Sequence, residues 1–262
     1  DEAIKLDLQY TMDFGYNGAR KHQKLEDPRY YYWADKMGVL VWGELPSPYD
    51  FSDDTVRNLA ETMMDFIDRD FNHPSIITWV PLNESWGVRN IYTDKRQQSA
   101  GRMLYHMTKA ADGTRLCSTN DGWEHTISDI ITIHDYSQDA EGLKKRWMEH
   151  KDEILSANTT PYTIRAAFAD GHSYQGQPVI ISEYGGIAIR PDTPGQIWGN
   201  IVEKHEFLNR YASITRAIRE IPYVSGFCYT QFADVQQEIN GMVDMERNLK
   251  ADPEQIRAIN MD

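Results

Sequence analysis

Short apolar runs rich in β-branched and aromatic residues alternate with amphipathic stretches along the whole chain. Most of these runs are apolar almost throughout, as expected for strands buried on both faces of a parallel sheet. The alternation of such strands with helices predicts an α/β fold made of repeated strand–helix units. The predicted strands are residues 16–22, 39–45, 76–83, 116–120, 130–136, 179–184 and 224–231.

Capping residues mark where several of the intervening helices begin and end. Asp27-Pro28 places a capping carboxylate before a proline at the first helical position, and Gly38 ends that helix. Asp252-Pro253 repeats the opening signal near the end of the sequence. Apolar spacing predicts further helices over residues 1–14, 53–71, 93–112 (capped by Thr93) and 195–221.

Two architectures fit a parallel α/β sheet: an open, doubly wound sheet and a closed (β/α)8 TIM barrel. The open sheet is typical of nucleotide binding, but the sequence contains no GxGxxG or Walker-type loop. Its 262 residues fit one barrel domain, which typically needs about 250. We therefore predict a TIM barrel over residues 1–262 whose first strand lies upstream of Asp1, because seven strands are predicted and a barrel needs eight.

The net charge, apolar runs and cysteines of the chain bear on its binding partners and its location. The formal net charge of -13 disfavours binding to nucleic acid or to an anionic membrane surface. The longest apolar runs are far too short to span a bilayer. Cys117 and Cys228 lie in apolar stretches, which predicts two buried free thiols. The absence of a disulfide framework slightly favours a cytoplasmic location.

Two glutamates stand directly after apolar strands, at the end where barrel enzymes carry their catalytic groups. Glu84 follows the run 76–83, and Glu183 follows the run 179–182. Glycoside cleavage needs one protonated and one ionised carboxyl group on either side of the sugar. Each glutamate alone also fits a salt-bridge partner at a strand end, but two at equivalent ends favour catalysis.

These glutamates lie within segments that are similar to a known enzyme family. The matching segments are residues 16–22 (YNGARKH), 38–44 (GVLVWGE), 69–86 (from RDFNHPSII to NESW), 181–185 (ISEYG) and 229–234 (YTQFAD). Together they resemble the catalytic barrel of glycoside hydrolase family 2, the family of β-galactosidases, β-glucuronidases and β-mannosidases. The resemblance extends over nearly the whole chain.

The resemblance implies a retaining exo-β-glycosidase in which Glu84 is the acid/base and Glu183 is the nucleophile. Such a pair has its carboxyl groups roughly 5–5.5 Å apart. The resemblance also places Asn83 at the sugar 2-hydroxyl and Arg20 beside the nucleophile. It further implies that Tyr136 donates a hydrogen bond to the nucleophile carboxylate.

Three further residues are expected to contact the sugar. Trp86 and Tyr229 are candidates for stacking on a sugar face, although plain packing explains either of them as well. Many family members have a tryptophan where this sequence has Tyr229. His22 follows the second barrel strand, from which it could reach a sugar hydroxyl.

General likeness makes a β-galactosidase the default expectation, with β-glucuronidase and β-mannosidase as alternatives. Glucuronidases of the family carry an Asn-x-Lys motif before the turn that reads Asn240-Gly241-Met242 in this sequence. The only such letters here, Asn248-Leu249-Lys250, lie after that turn, which disfavours a glucuronidase. A non-catalytic carbohydrate-binding barrel is a further alternative.

No metal or cofactor is expected to be required. His22, His73 and His134 lie on different strand–helix units without HxH or HExxH spacing, so a metal-dependent barrel hydrolase is the weaker alternative. The expected partners are a carbohydrate substrate and companion β-sandwich domains upstream in the same polypeptide. A homo-oligomer is compatible with the sequence.

Overall fold

The computed structural model describes residues 1–191, 198–236 and 238–262. The helices are α1 (Glu2–Asp13), α2 (Pro28–Met37), α3 (Asp53–Asp70), α4 (Lys95–Ala111), α5 (Ala140–Glu149), α6 (Lys151–Ile154), α7 (Phe207–Arg219) and α8 (Pro253–Met261). The strands are β1 (Gly18–Arg20), β2 (Leu40–Glu44), β3 (Ile76–Val80), β4 (Leu82–Asn83), β5 (Leu116–Cys117), β6 (Asn120–Asp121), β7 (Ile131–Asp135), β8 (Val179–Gly185), β9 (Ile187–Ile189), β10 (Asn200–Val202) and β11 (Val224–Thr230).

All pairings between these strands are parallel, and the fold is a TIM barrel, as the sequence predicts. The strands are ordered β1-β2-β3-β5 in one sheet and β11-β8-β7 in another, and β4 pairs with β6 between them. β4 continues β3, and β6 continues β5. These nine strands therefore occupy seven strand positions of the barrel. All seven predicted strand regions are therefore confirmed.

The capping signals act as predicted at the start of α2 and α8. The Asp27 carboxylate accepts a hydrogen bond from the Arg29 backbone N–H at 2.9 Å, and Asp252 accepts one from the Glu254 N–H at 3.0 Å. Gly38 ends α2 in the left-handed conformation with φ of 77°. The predicted cap at Thr93 is wrong by one residue. Asp94 caps α4 instead, and its carboxylate accepts from the Arg96 N–H at 2.8 Å.

The predicted helix over residues 195–221 is wrong in its first half. Residues 195–197 lie outside the described residues, and β10 occupies Asn200–Val202, where it pairs with β9. Helix α7 begins only at Phe207, after the 3-10 turn Lys204–Glu206. The regular apolar spacing that buries one helix face starts at this point, with Phe207 and Tyr211 both fully covered.

The sequence analysis also missed β9, β10, α5 and α6. Helix α5 is rich in lysine and glutamate, so that its composition resembles that of a solvated loop. Two buried side chains, Leu143 and Trp147, hold it against the barrel. Packing against the sheet therefore determines this helix more than its local sequence does.

The apolar core lies in two clusters, which occupy opposite halves of the barrel wall. One half packs α2 and α3 on β2 and β3, with Phe66 and Trp79 edge to face at 5.0 Å between ring centres. The other half packs α5 and α7 on β7 and β8. Both cysteines are free; Cys117 is buried as predicted, whereas Cys228 is only half-buried. Each described helix is too short or too polar to cross a membrane.

The outer edges of β1 and β11 face a gap in the barrel wall. Within the described residues, no strand pairs with either of these edges. A cavity of about 750 Å³ runs past the gap from the ends of the strands into the barrel interior. It is lined on the two sides of the gap by Gly18–Arg20 and by Ser225–Thr230, and deeper inside by apolar residues such as Ile77 and Ile180.

The unpaired edges make the expected upstream strand testable. We expect that a chain extended by about 30 native residues before Asp1 unfolds at a clearly higher temperature than residues 1–262 alone, because a strand seated in the gap would pair both edges and cover apolar surface. Thermal unfolding followed by circular dichroism measures the difference. Equal melting temperatures would contradict the expected strand.

Candidate active site

The Arg20 guanidinium at the end of β1 is the centre of the polar cluster in the cavity. Its Nε lies 2.6 Å from Glu44 Oε2, and its Nη1 lies 2.5 Å from Glu183 Oε1 and 3.1 Å from Asp121 Oδ2. Its Nη2 donates to Asn83 Oδ1 at 2.7 Å. Only 5% of the Arg20 side chain is exposed, so one guanidinium balances three carboxylates in a region with little water.

Glu183 stands near the end of β8 with its carboxylate bound on both oxygens. Arg20 donates to Oε1, the Tyr136 hydroxyl donates to Oε2, and His134 Nδ1 lies 3.3 Å from Oε2. Burial by itself raises the pKa of Glu183, but the positive charges of His134 and Arg20 outweigh it and lower the pKa. The side chain is therefore held as an anion.

Glu84 follows β4 in a turn that aims its side chain back into the cavity. Glu84 and Ser85 both have left-handed backbones, with φ of 52° and 58°, which is strained for residues with a side chain. The turn is held by the Glu84 backbone N–H, which donates to the Asp121 carbonyl at 2.9 Å, and by the Ser85 N–H, which donates to Asn120 Oδ1 at 2.9 Å. The Glu84 side chain keeps 25% of its surface exposed, so it can meet a ligand.

His134 lies between the two glutamates at the end of β7. Its Nδ1 is 2.8 Å from Glu84 Oε1, and its Nε2 is 2.9 Å from Asp121 Oδ2. Residue 134 is level with Glu183 in the parallel pairing of β7 with β8, which places their side chains next to each other. Burial by itself lowers the pKa of His134, but Glu183, Asp121 and Glu84 together raise it to about 10.

Asn83 and His22 are placed where a ligand can reach them. The Asn83 side chain is buried, and its Nδ2 has no hydrogen-bond partner among the described residues. Such an unpaired donor beside the carboxylates fits a ligand hydroxyl. His22 has 54% of its side chain exposed, and its Nδ1 lies 3.7 Å from Glu183 Oε1.

The two aromatic candidates differ in their surroundings. Trp86 is half-buried, lines the cavity and lies beside Tyr49 with 5.5 Å between the ring centres. Tyr229 also lines the cavity but is only 7% exposed, and its ring meets those of Tyr184 and Tyr211 edge to face. Packing in the barrel wall thus accounts for Tyr229, whereas Trp86 keeps a free surface.

Glu44 and Asp121 complete the cluster, although sequence reasoning did not single them out. Both are fully buried at the ends of strands, and both bind Arg20. Glu44 directly follows the apolar run 39–43, and Asp121 follows the strand region 116–120. The strand-end criterion that identified Glu84 and Glu183 would have identified these two acids as well.

The ligand atoms of Glu84, His134 and Glu183 all lie within 4.8 Å of one another, a spacing that a metal ion could use. Metal binding needs a neutral imidazole with a free nitrogen. In this structure both His134 nitrogens face carboxylates instead, with Nδ1 toward the two glutamates and Nε2 toward Asp121. Ion pairing therefore accounts for the cluster, and the expectation of no metal stays a prediction.

Comparisons with known proteins find a matching family and several relatives. The family described as glycosyl hydrolases family 2, TIM barrel domain, matches residues 1–257. A β-glucuronidase of Mus musculus is 24% identical over 77% of this chain and 30% of its own length. A β-galactosidase of Thermoanaerobacterium thermosulfurigenes is 27% identical over 54% of this chain and 18% of its own length.

Solved structures share the fold. A family 2 β-galacturonidase from Eisenbergiella tayi, bound to galacturonate, superposes on 99% of this chain with a TM-score of 0.77 at 18% identity. This chain covers 47% of that protein. The chain thus spans a third or less of the curated relatives and about half of the solved one.

Replacing Arg20 should destabilise the fold more than losing an ordinary ion pair. We expect Arg20→Met to lower the free energy of unfolding by about 3–5 kcal/mol at pH 8, because it leaves buried carboxylates without a counter-charge. The loss should be smaller at pH 5, where those carboxyl groups can take up protons.

Urea unfolding at both pH values measures this effect. Arg57→Met is the matched control, because Arg57 pairs with Asp54 on the exposed face of α3 and should change little. A loss no larger than that of the control would show that the Arg20 network contributes little to stability.

Proposed function

We propose that this chain, which belongs to glycosyl hydrolase family 2, is the catalytic domain of a retaining exo-β-glycosidase. The observation that carries the proposal is the approach of the carboxylates of Glu84 and Glu183 at one cavity, where oxygens of the two lie within 4.8 Å. Retaining enzymes keep their carboxyl groups about 5–5.5 Å apart, whereas inverting enzymes leave about 6.5–9.5 Å for a water molecule.

In the first step, Glu183 attacks C1 of the sugar and forms a covalent glycosyl-enzyme. Arg20 and the Tyr136 hydroxyl bind its two carboxylate oxygens and orient it toward the sugar. Glu84 gives its proton to the departing oxygen as the bond from C1 breaks. Its partly exposed position suits contact with a leaving group at the cavity mouth.

In the second step, the same residues return the enzyme to its starting state. Glu84, now ionised, takes a proton from water, which attacks C1 and releases Glu183. The unpaired Nδ2 of Asn83 is placed to bind the sugar 2-hydroxyl, an interaction that strengthens as positive charge develops on the ring. These steps use side chains alone, so we propose that no cofactor takes part.

A non-catalytic carbohydrate-binding barrel is the weaker alternative. Such a protein needs aromatic surfaces but has no use for an ionised nucleophile or for a second carboxyl group beside it. Here Arg20, Tyr136 and His134 are all positioned on Glu183. Buried charges are costly to maintain, which favours an enzyme.

Charge in the cavity favours a neutral sugar over a uronic acid. Among the described residues that line the cavity, the cationic side chains are Arg20, which the buried acids occupy, and His22. Glu238 adds a further acidic group to the lining. Lys250, the lysine of the Asn248-Leu249-Lys250 segment, forms a salt bridge with Asp234, with its Nζ 2.5 Å from Oδ1.

We therefore propose β-galactosides as the default substrates and β-mannosides as the neutral alternative. Several relatives are β-glucuronidases, so a glucuronide belongs in any test. Because the chain covers 47% or less of the relatives considered above, we also propose that companion domains of the same polypeptide complete the substrate site.

Replacement of the two glutamates tests the mechanism. With nitrophenyl β-glycosides and the full-length protein, we expect Glu183→Gln to lower kcat/KM by roughly 10⁴-fold or more, because no nucleophile remains. Glu84→Gln should lower kcat/KM by roughly 10²–10⁴-fold for glycosides with poor leaving groups. The loss should be far smaller for a dinitrophenyl glycoside, whose leaving group departs without protonation.

Glu141→Gln, on the exposed face of α5, is the matched control and should leave the rates unchanged. Proton NMR of the first sugar released should show the β-anomer. Initial release of the α-anomer, or an active Glu183→Gln variant, would rule out the proposed chemistry.

The sugar preference is tested at Glu238. We expect the wild-type protein to hydrolyse a nitrophenyl β-galactoside faster than the corresponding β-glucuronide. Glu238→Gln should raise kcat/KM for the glucuronide roughly tenfold by removing a repulsive charge, while the galactoside rate changes little. Glu254→Gln on exposed α8 is the control. Faster hydrolysis of the glucuronide by the wild type would reverse the proposed preference.

A further inference from the structure

His134 is a fully enclosed imidazole in contact with both proposed catalytic carboxylates. It is 1% exposed. Its Nδ1 lies 2.8 Å from Glu84 Oε1 and 3.3 Å from Glu183 Oε2, and its Nε2 lies 2.9 Å from Asp121 Oδ2. The two catalytic steps proposed for the glutamates do not explain its contact with Glu84.

The hydrogen-bond partners of His134 indicate the protonation state of its ring. An ionised carboxylate can only accept hydrogen bonds, and a neutral imidazole carries one N–H. Here Glu183 and Asp121 stand on opposite nitrogens of His134. Both nitrogens must therefore carry a proton, which makes the ring an imidazolium.

The surroundings are shaped to hold the ring in this position. Gly122, with φ of 104°, lies against the ring, and an added Cβ there would come within 2.8 Å of it. The Trp123 indole meets the ring edge to face at 5.4 Å between ring centres. A side chain at residue 122 would displace the imidazole. The local backbone therefore leaves space for the His134 ring in this position.

We propose that His134 is a positioning residue that, as a cation fixed by Asp121, holds the acid/base Glu84 beside the nucleophile Glu183. This inference rests on the proposed glycosidase function. The cation stabilises the ionised form of Glu183, 3.3 Å from its Nδ1. It also gives the strained turn at Glu84 a fixed partner on β7, so that the acid stays directed at the leaving-group side.

The charged groups that face His134 come from three strand positions of the barrel. Glu84 follows β4, Asp121 ends β6 and Glu183 lies on β8. Behind Asp121 and Glu183 stands Arg20, which binds both. The remaining positive charge of Arg20 would still act on Glu183 after His134 is replaced, so the nucleophile would lose only part of its stabilisation.

His134→Asn tests the proposal through the pH profile of kcat/KM on the full-length protein. Asparagine keeps a hydrogen-bonding side chain but carries no charge. We expect kcat/KM at pH 7 to fall about 100-fold through misplacement of Glu84. The acidic limb should move up by about one pH unit, because the pKa of Glu183 rises when its cationic neighbour is lost.

His73→Asn is the matched control, since His73 also pairs with an aspartate, with its Nδ1 2.6 Å from Asp35 Oδ2, but lies ahead of β3, away from the cavity. It should leave the acidic limb in place. An acidic limb that stays in place in His134→Asn would overturn the proposal, because a residue needed only for packing lowers the rate without shifting the limb.

A measurement without substrate separates this inference from the proposed function. Nitrogen-15 NMR of the histidine side chains in the wild-type protein should show a ring that stays doubly protonated from pH 6 to pH 8 and whose signal is missing in His134→Asn. If the wild type hydrolyses no β-glycoside, the function fails while this result still decides the charge of His134. A neutral His134 ring at pH 7 would overturn the inference.

Discussion

The site depends on one constraint: several carboxylates must share a small buried volume without repelling each other. Glu44, Asp121 and Glu183 all contact the Arg20 guanidinium, whose fork can serve several acceptors at once. A lysine would supply a single ammonium and could not reach the same set. The arginine therefore both permits the concentration of negative charge and fixes the direction of each acid.

The strained backbone at Glu84 is the second consequence of bringing these groups together. A regular strand would carry residue 84 past the cavity, whereas the left-handed turn at Glu84 and Ser85 returns its side chain to the site. The network beneath the turn, in which the Ser85 hydroxyl donates to Glu124 Oε2 at 2.5 Å, compensates for part of the strain. Rigid support of this kind suits the acid/base role proposed for Glu84.

The sequence was sufficient to predict the barrel, because long apolar runs at regular intervals leave few alternatives. It also predicted that Glu84 and Glu183 come together, since polar residues directly after buried strands meet at one end of a parallel barrel, and the structure places oxygens of the two within 4.8 Å. The same pattern could not reveal His134 as their shared partner, because that contact depends on how β7 aligns with β8. Helix α5 and the β9–β10 pair were missed for a related reason, since distant contacts and not local spacing stabilise them.

Arg20 lies on β1, whose outer edge has no strand partner among the described residues. The guanidinium that binds the Glu183 carboxylate thus lies on a strand with backbone hydrogen bonds on one side only, and exposed edges of this kind open most readily. Local fraying there would separate Glu183 from Arg20 while the rest of the molecule stayed folded. The proposed activity would then depend on closure of the gap beside β1, and a molecule in which this gap stays open would be inactive.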